Sequence, residues 1–221
     1  MKRARILVAI GLALATNAGA QACLFGKAPS RLTGRVEGSF VTHRYARATS
    51  IGAAAVGKSL YGGIAYGTTY DPEQDINSDD VMLSGGYDYK LPSGLLLCLT
   101  GTADRSRVHL DPVSGKEYAI GDLSAGVGLA RASTLRSVST VVGAGFAMAG
   151  TWLSEERDDI RGDNTGYMKL TAFGGAMLSR WIGLRAQAEF PFLMPRYALV
   201  VPFGSDNREI SVRLAGSAFL W

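Results

Sequence analysis

Proline, cysteine and histidine are all scarce in this 221-residue chain, which holds 7, 2 and 2 of them. With so few prolines and no low-complexity tract, nothing marks a linker, and the length suits one domain with a substantial core or one closed barrel. No CxxC pair, HExxH, GxSxG, P-loop or dinucleotide fingerprint occurs, so no motif calls for a metal or nucleotide and no cofactor is expected. Charge is thin as well: Asp, Glu, Lys and Arg make up 19% of the chain, below the ~25% usual in soluble domains. The formal net charge of +4 does not point to nucleic acid, because Lys2, Arg3 and Arg5 lie in an acid-free opening and the remainder sets 20 basic against 19 acidic side chains.

That opening is itself informative. Lys2, Arg3 and Arg5 precede an apolar run from Ile6 to Ala15, and Ala18 with Ala20, or Ala20 with Ala22, offers an A-x-A cleavage site. This is the pattern of a secretory signal peptide over residues 1–22, cut after 20 or 22. The run is too short to span a bilayer as a helix. Residues 23–31 then form a periplasmic N-terminal segment, and residues 32–221 the body of the fold. An exported chain permits a disulfide between Cys23 and Cys98. Lipidation of Cys23 and a free thiol are the alternatives.

What the body does have is alternation. In GLRAQAEFPFL, Leu184, Ala186, Ala188, Phe190 and Phe192 take one parity while Arg185, Gln187 and Glu189 take the other, which is the two-residue period of a strand. Leu32, Val36 and Phe40 oppose Thr33, Arg35, Glu37 and Ser39; Val81, Leu83, Tyr87 and Tyr89 oppose Ser84, Asp88 and Lys90; Leu95, Leu97 and Leu99 oppose Cys98, Thr100, Thr102 and Asp104. The polar rows hold both signs of charge and many small residues, unlike the Lys- and Glu-rich surface of a soluble barrel. We therefore expect the apolar rows to face lipid and the charged rows to meet inside.

Ten such segments are separated by connections that alternate in length. Tight ones fall at Lys58-Ser59, Leu91–Ser93, Ala132–Thr134 and Arg180-Trp181; long ones at Arg44–Thr49, Asp71–Asp79, Ser106–Glu117, Ser154–Gly166 and Pro195–Asp206. The expected fold is all-β: a closed antiparallel up-and-down transmembrane barrel of ten strands, with eight or twelve as alternatives, short periplasmic turns and long extracellular loops. Tyr70, Tyr118, Trp152 and Tyr167 beside the long connections, and Tyr61, Tyr89, Trp181 and Trp221 beside the short ones, suit two interfacial girdles. The charge-free stretch Ser137–Ser154 leaves a membrane helix as a rival, although its glycines and its alternating Val142, Ala144, Phe146 and Met148 favour a strand.

The final stretch EISVRLAGSAFLW resembles the C-terminal targeting segment of bacterial outer-membrane barrel proteins, which alternates and ends on an aromatic residue. Its parity breaks, since Ile210, Val212, Leu214 and Leu220 share a side that Phe219 and Trp221 do not. Either a bulge at Gly216 shifts the register or the last residues do not face lipid. The layout of the whole body resembles the small outer-membrane β-barrels of Gram-negative bacteria, in the OmpA-like and opacity-protein-like groups. That resemblance implies an outer-membrane location and a structural or adhesin-like role, in which the barrel anchors acidic external loops.

The expected lumen network comprises Arg35, Glu37, Asp88, Lys90, Asp104, Asp122, Lys169, Arg185, Glu189, Glu209 and Arg213, because barrels of this size fill their interiors with side chains. No catalytic residue and no metal ligand is assigned. His43 and His109 both fall near the expected outer rim, and His109, near Asp111 and Asp104, leaves a rim enzyme acting on lipid A or peptide as an alternative, while the lumen charges leave a narrow ion or solute pore. The acidic run from Asp71 to Asp80 lacks the Gly and Glu of an EF-hand loop, with Ile76 and Met82 standing there. Expected partners are outer-membrane lipid, lipopolysaccharide and the barrel-assembly machinery, with the protein a monomer that binds no nucleic acid.

Overall fold

The computed structural model describes residues 22–25, 32–42, 46–72, 76–111, 116–153, 165–192 and 210–220. Ten strands close into one antiparallel barrel in which every strand pairs with its sequence neighbours and β1 with β10. They are β1 (Thr33–Thr42), β2 (Arg47–Val56), β3 (Leu60–Asp71), β4 (Ile76–Lys90), β5 (Leu95–Asp111), β6 (Lys116–Leu135), β7 (Val138–Leu153), β8 (Thr165–Met177), β9 (Ile182–Phe192) and β10 (Ser211–Leu220). A four-residue helix, α1 (Ala22–Phe25), precedes them. Among the described residues no helix is long and apolar enough to cross a membrane. The stretch that rivalled a strand as a membrane helix is β7.

Side-chain parity shows which face is wet. Leu83, Leu123 and Leu214 are more than half exposed on the outer wall, with Ile64, Val81, Leu170, Leu184 and Phe190 beside them. Leaving so many large apolar groups outside is unfavourable in water and favourable in hydrocarbon. Closure is the companion requirement, since an open sheet edge in lipid leaves unpaired backbone groups. The chain is a membrane-spanning β-barrel, and its strands are tilted: the ladder from Gly34 through β2 to β8 arrives at the far end of β9, whereas through β10 it arrives at the near end.

Several expectations change. The third tight turn lies at Arg136-Ser137, not Ala132–Thr134, because Leu135 still pairs with Val138. Both turn residues have positive φ, 47° and 73°, the backbone of a two-residue hairpin that Asn and Gly usually signal. Three of the long connections are shorter than expected, because β2, β4, β5 and β6 carry their ladders into them; Asp79 and Asp80 belong to β4, and Ser106–Asp111 to β5. The long connections after β7 and β9 lie outside the described residues. Tyr61 and Tyr167 do not join a girdle, since their parity turns them into the lumen. At the C-terminal strand no bulge occurs: the pairing from Gly34–Leu220 to Thr42–Val212 is continuous, so Phe219 faces inward and is 3% exposed. Trp221 and Glu209 lie outside the described residues.

Candidate functional site

The barrel interior encloses a cavity of about 230 Å³, and the charged parity of the strands lines it. One wall is large and polar: Arg35 and Glu37 on β1, Lys169 on β8, Arg185, Gln187 and Glu189 on β9, and Arg213 on β10. The facing wall on β2, β3, β6 and β7 is built mainly of Gly, Ala and Ser, which makes room for those long side chains. Strand pairing supplies hydroxyl links around the ring, Ser39 to Ser50 and Thr102 to Ser124, both at 2.7 Å.

Glu37 is the hub of the charged wall. It accepts from Arg185 Nη2 at 2.8 Å and Ser217 Oγ at 2.9 Å, and Arg35 Nη2 stands 3.6 Å from its second oxygen. A second pair joins Lys169 Nζ to Glu189 Oε2 at 2.8 Å, and Gln187 donates to the other oxygen of Glu189 at 2.8 Å. Arg213 lies within electrostatic reach of Glu189, Glu37 and Asp104. Asp104 and Asp122 are ladder partners on β5 and β6, so two carboxylates share one level of the lumen. Each partly desolvated charge here needs an opposite one, because an unpaired charge away from water costs several kcal/mol.

Asp88 takes a different part from the one its charge suggested. Its carboxylate is 1% exposed and accepts the backbone N–H of Cys23 at 3.0 Å, tying β4 to α1. Lys90 is exposed near the turn after β4 and stands apart from the network, since a flexible amine at a strand end keeps its water.

The short-turn end of the lumen is occupied by α1, into which residues 23–25 fold. Cys23 and Cys98 are joined by a disulfide with Cα atoms 6.0 Å apart, inside a cluster with Leu96, Ala130 and Val141. Phe25 is fully buried and meets Phe219 edge to face with ring centroids 5.5 Å apart. The Arg35 guanidinium lies over the Phe25 and Tyr61 rings at 5.8 and 5.9 Å, contacts in which a cation gains from the ring faces. Gly175 and Gly183 make this possible: a Cβ at Gly175 would collide with the Leu24 carbonyl, and one at Gly183 would come within 2.7 Å of the Phe25 ring. The sequence signal for a lumen plug is an aromatic residue two positions past a cysteine, with an inward-parity glycine on β8 and another on β9.

His109 is not brought to Asp104, which faces the lumen while His109 faces the outer wall. Its carboxylate partner is Asp79 across β4 and β5, with Nε2 to Oδ2 at 3.2 Å; Tyr66 Oη donates to Asp79 Oδ1 at 2.8 Å. The side chain of Asp111 lies outside the described residues, as does all of His43.

No family model and no curated relative matches the chain. Among solved structures it is similar to the β domain of the Bordetella autotransporter Brka, at 11% identity over 86% of this chain and 99% of that one, TM-score 0.47. It is also similar to the translocator domain of the autotransporter NalP from Neisseria meningitidis, at 10% identity over 100% of this chain and 95% of that one, TM-score 0.43. Omp33 of Acinetobacter baumannii matches at 8% identity over 87% and 99%, TM-score 0.33. Likenesses at such identities carry no residue's role across.

Proposed function

We propose that this outer-membrane barrel is a closed, non-conducting anchor with a structural or surface-interaction role, holding its external connections at the cell surface. The observation that carries the reading is the plug. An open channel gains nothing from a covalent bond between α1 and β5, a fully buried Phe25 and a buried carboxylate aimed at the Cys23 amide. A barrel whose task is to stay shut gains rigidity from each.

Planar-bilayer recording with purified, folded protein tests it. The oxidised protein is expected to give no reproducible channels, and the Cys98→Ser/Gly175→Val variant, which loses the tether and fills the space under Leu24, to give small ones. Reproducible conductance from the oxidised protein would replace this reading with a narrow pore. For the surface role, an epitope inserted between Arg161 and Gly162 is expected to be stained on intact cells, and absence of staining would reverse the orientation. A second reading, a rim enzyme acting on lipid A or peptide, draws support from the His109–Asp79 pair. Unchanged lipid A composition and surface proteolysis in His109→Ala would end it.

A further inference from the structure

The short-turn rim of the barrel carries charge of one sign. Each of its four connections brings a cation: Lys58 between β2 and β3, Lys90 at the last position of β4, Arg136 between β6 and β7, and Arg180 between β8 and β9. Arg131 adds a fifth from β6, and all five are exposed. Among the described residues, the acidic side chains nearest this rim are Asp88 and Glu37, and both are turned into the lumen. There Asp88 accepts the Cys23 amide, and Glu37 holds Arg35 and Arg185. Residues 26–31, outside the described ones, hold Lys27 and Arg31 and no acid in sequence. The long-connection end differs, since on its outer face Arg107 stands across the ladder from Asp79.

These cations lie where the apolar band ends. Arg131 takes the lipid-facing parity, in the ladder between Leu95 and Val142. The Arg180 guanidinium lies over the Trp181 ring at 4.7 Å, and Leu178 and Ile182 on either side of the pair are more than half exposed. Leu60, close to Lys58, and Leu135, beside Arg136, are also more than half exposed. Such a level, with hydrocarbon on one side and water on the other, is that of the headgroups. Long cationic side chains lay their stems on the apolar wall there and place their charge among phosphates, and a Trp ring belongs at the same depth.

From this arrangement we infer that the short-turn rim binds anionic phospholipid headgroups of the leaflet it borders, selecting lipids of net negative charge over zwitterionic ones. Arg131 and the stacked Arg180 favour a lipid over a soluble polyanion, because a water-borne polymer reaches the lipid-facing wall only through the headgroups. One cation at each connection spreads the charge around the circumference, which suits several separate lipids rather than one multivalent ligand. This requires a membrane-spanning barrel and holds whether or not the lumen conducts.

Native mass spectrometry of the folded protein, released from micelles holding equal amounts of phosphatidylglycerol and phosphatidylcholine with the same chains, tests this. Heat-modifiable gel mobility confirms that each variant is folded. The unaltered protein is expected to retain phosphatidylglycerol over phosphatidylcholine roughly fivefold, the equivalent of about 1 kcal/mol for a cation at the membrane surface. Lys58→Gln/Arg131→Gln/Arg180→Gln should retain fewer than half as many phosphatidylglycerol molecules, whereas Arg105→Gln/Arg107→Gln should retain as many as the unaltered protein. Raising ammonium acetate from about 0.05 M to about 0.5 M should lower the preference of the unaltered protein, because salt screens exposed charges. Soluble glycerol phosphate at the concentration of the lipid should not displace phosphatidylglycerol. Equal retention of the two lipids, an unchanged count in the triple variant, a preference indifferent to salt, or displacement by glycerol phosphate would each overturn the inference. Equal retention together with loss of binding to immobilised polyglutamate in the triple variant would assign the rim to a water-borne polyanion instead. The salt arm needs no variant, so it decides the matter even where the substitutions impair folding.

Discussion

The two ends of the lumen are built on different principles. At the short-turn end the space is filled by another part of the chain: α1 enters, Phe25 packs on Phe219, and a disulfide fixes the arrangement to β5. Toward the long-connection end, among the described residues, the lumen is filled by charged side chains of the wall itself, with Lys169 on Glu189 across neighbouring strands and the carboxylates of Asp104 and Asp122 sharing one level. Arg35 belongs to both schemes, since its guanidinium lies over Phe25 and reaches Glu37. The lesson is that a barrel of this diameter is stabilised by whatever fills it, and a hydrophobic plug needs a tether where a charge network needs only complementary signs.

That contrast can be broken at its hub. Glu37→Ala removes the carboxylate facing both Arg35 and Arg185, and losing one partner of a desolvated cluster is expected to cost about 3–5 kcal/mol, read from the urea midpoint of unfolding in lipid vesicles. Next in size, Cys98→Ser frees the tether between residues separated by 75 positions; it should lower stability by about 2–4 kcal/mol and expose α1 to proteolysis from the short-turn side. Lys169→Met touches the other end alone. It leaves Glu189 with Gln187 as a remaining donor, and about 1–3 kcal/mol is expected, with no change in protease access to α1. Smallest of all, Lys90→Ala should change the midpoint by less than about 0.5 kcal/mol. A large loss there would draw that exposed amine back into the lumen network.

The wall was legible in the sequence and the filling only partly. Alternation in β1, β4, β5 and β9 fixed which residues face lipid, because a strand has a period of two and nothing in a membrane lets it slip. The same parity carried Arg35, Glu37, Arg185 and Glu189 inward. It also carried Tyr61 and Tyr167 inward, but their places at strand ends suggested an interface, and proximity to a turn says less than parity does. The turn at Arg136-Ser137 lacked its usual residues, so only the ladder reveals it. The plug left the weakest trace, since four residues have no period and their reason for folding lies in Gly175 and Gly183, far along the chain.

Cys23 and Cys98 are 4% and 3% exposed in the finished cylinder. A bulky oxidase has no approach to sulfurs so enclosed, so the bond must be made, or missed, while the wall still gapes between its first and last strands. Once it exists, residues 23–98 are a covalent ring, and the lasso already holds its own stopper when β10 arrives to complete the seam.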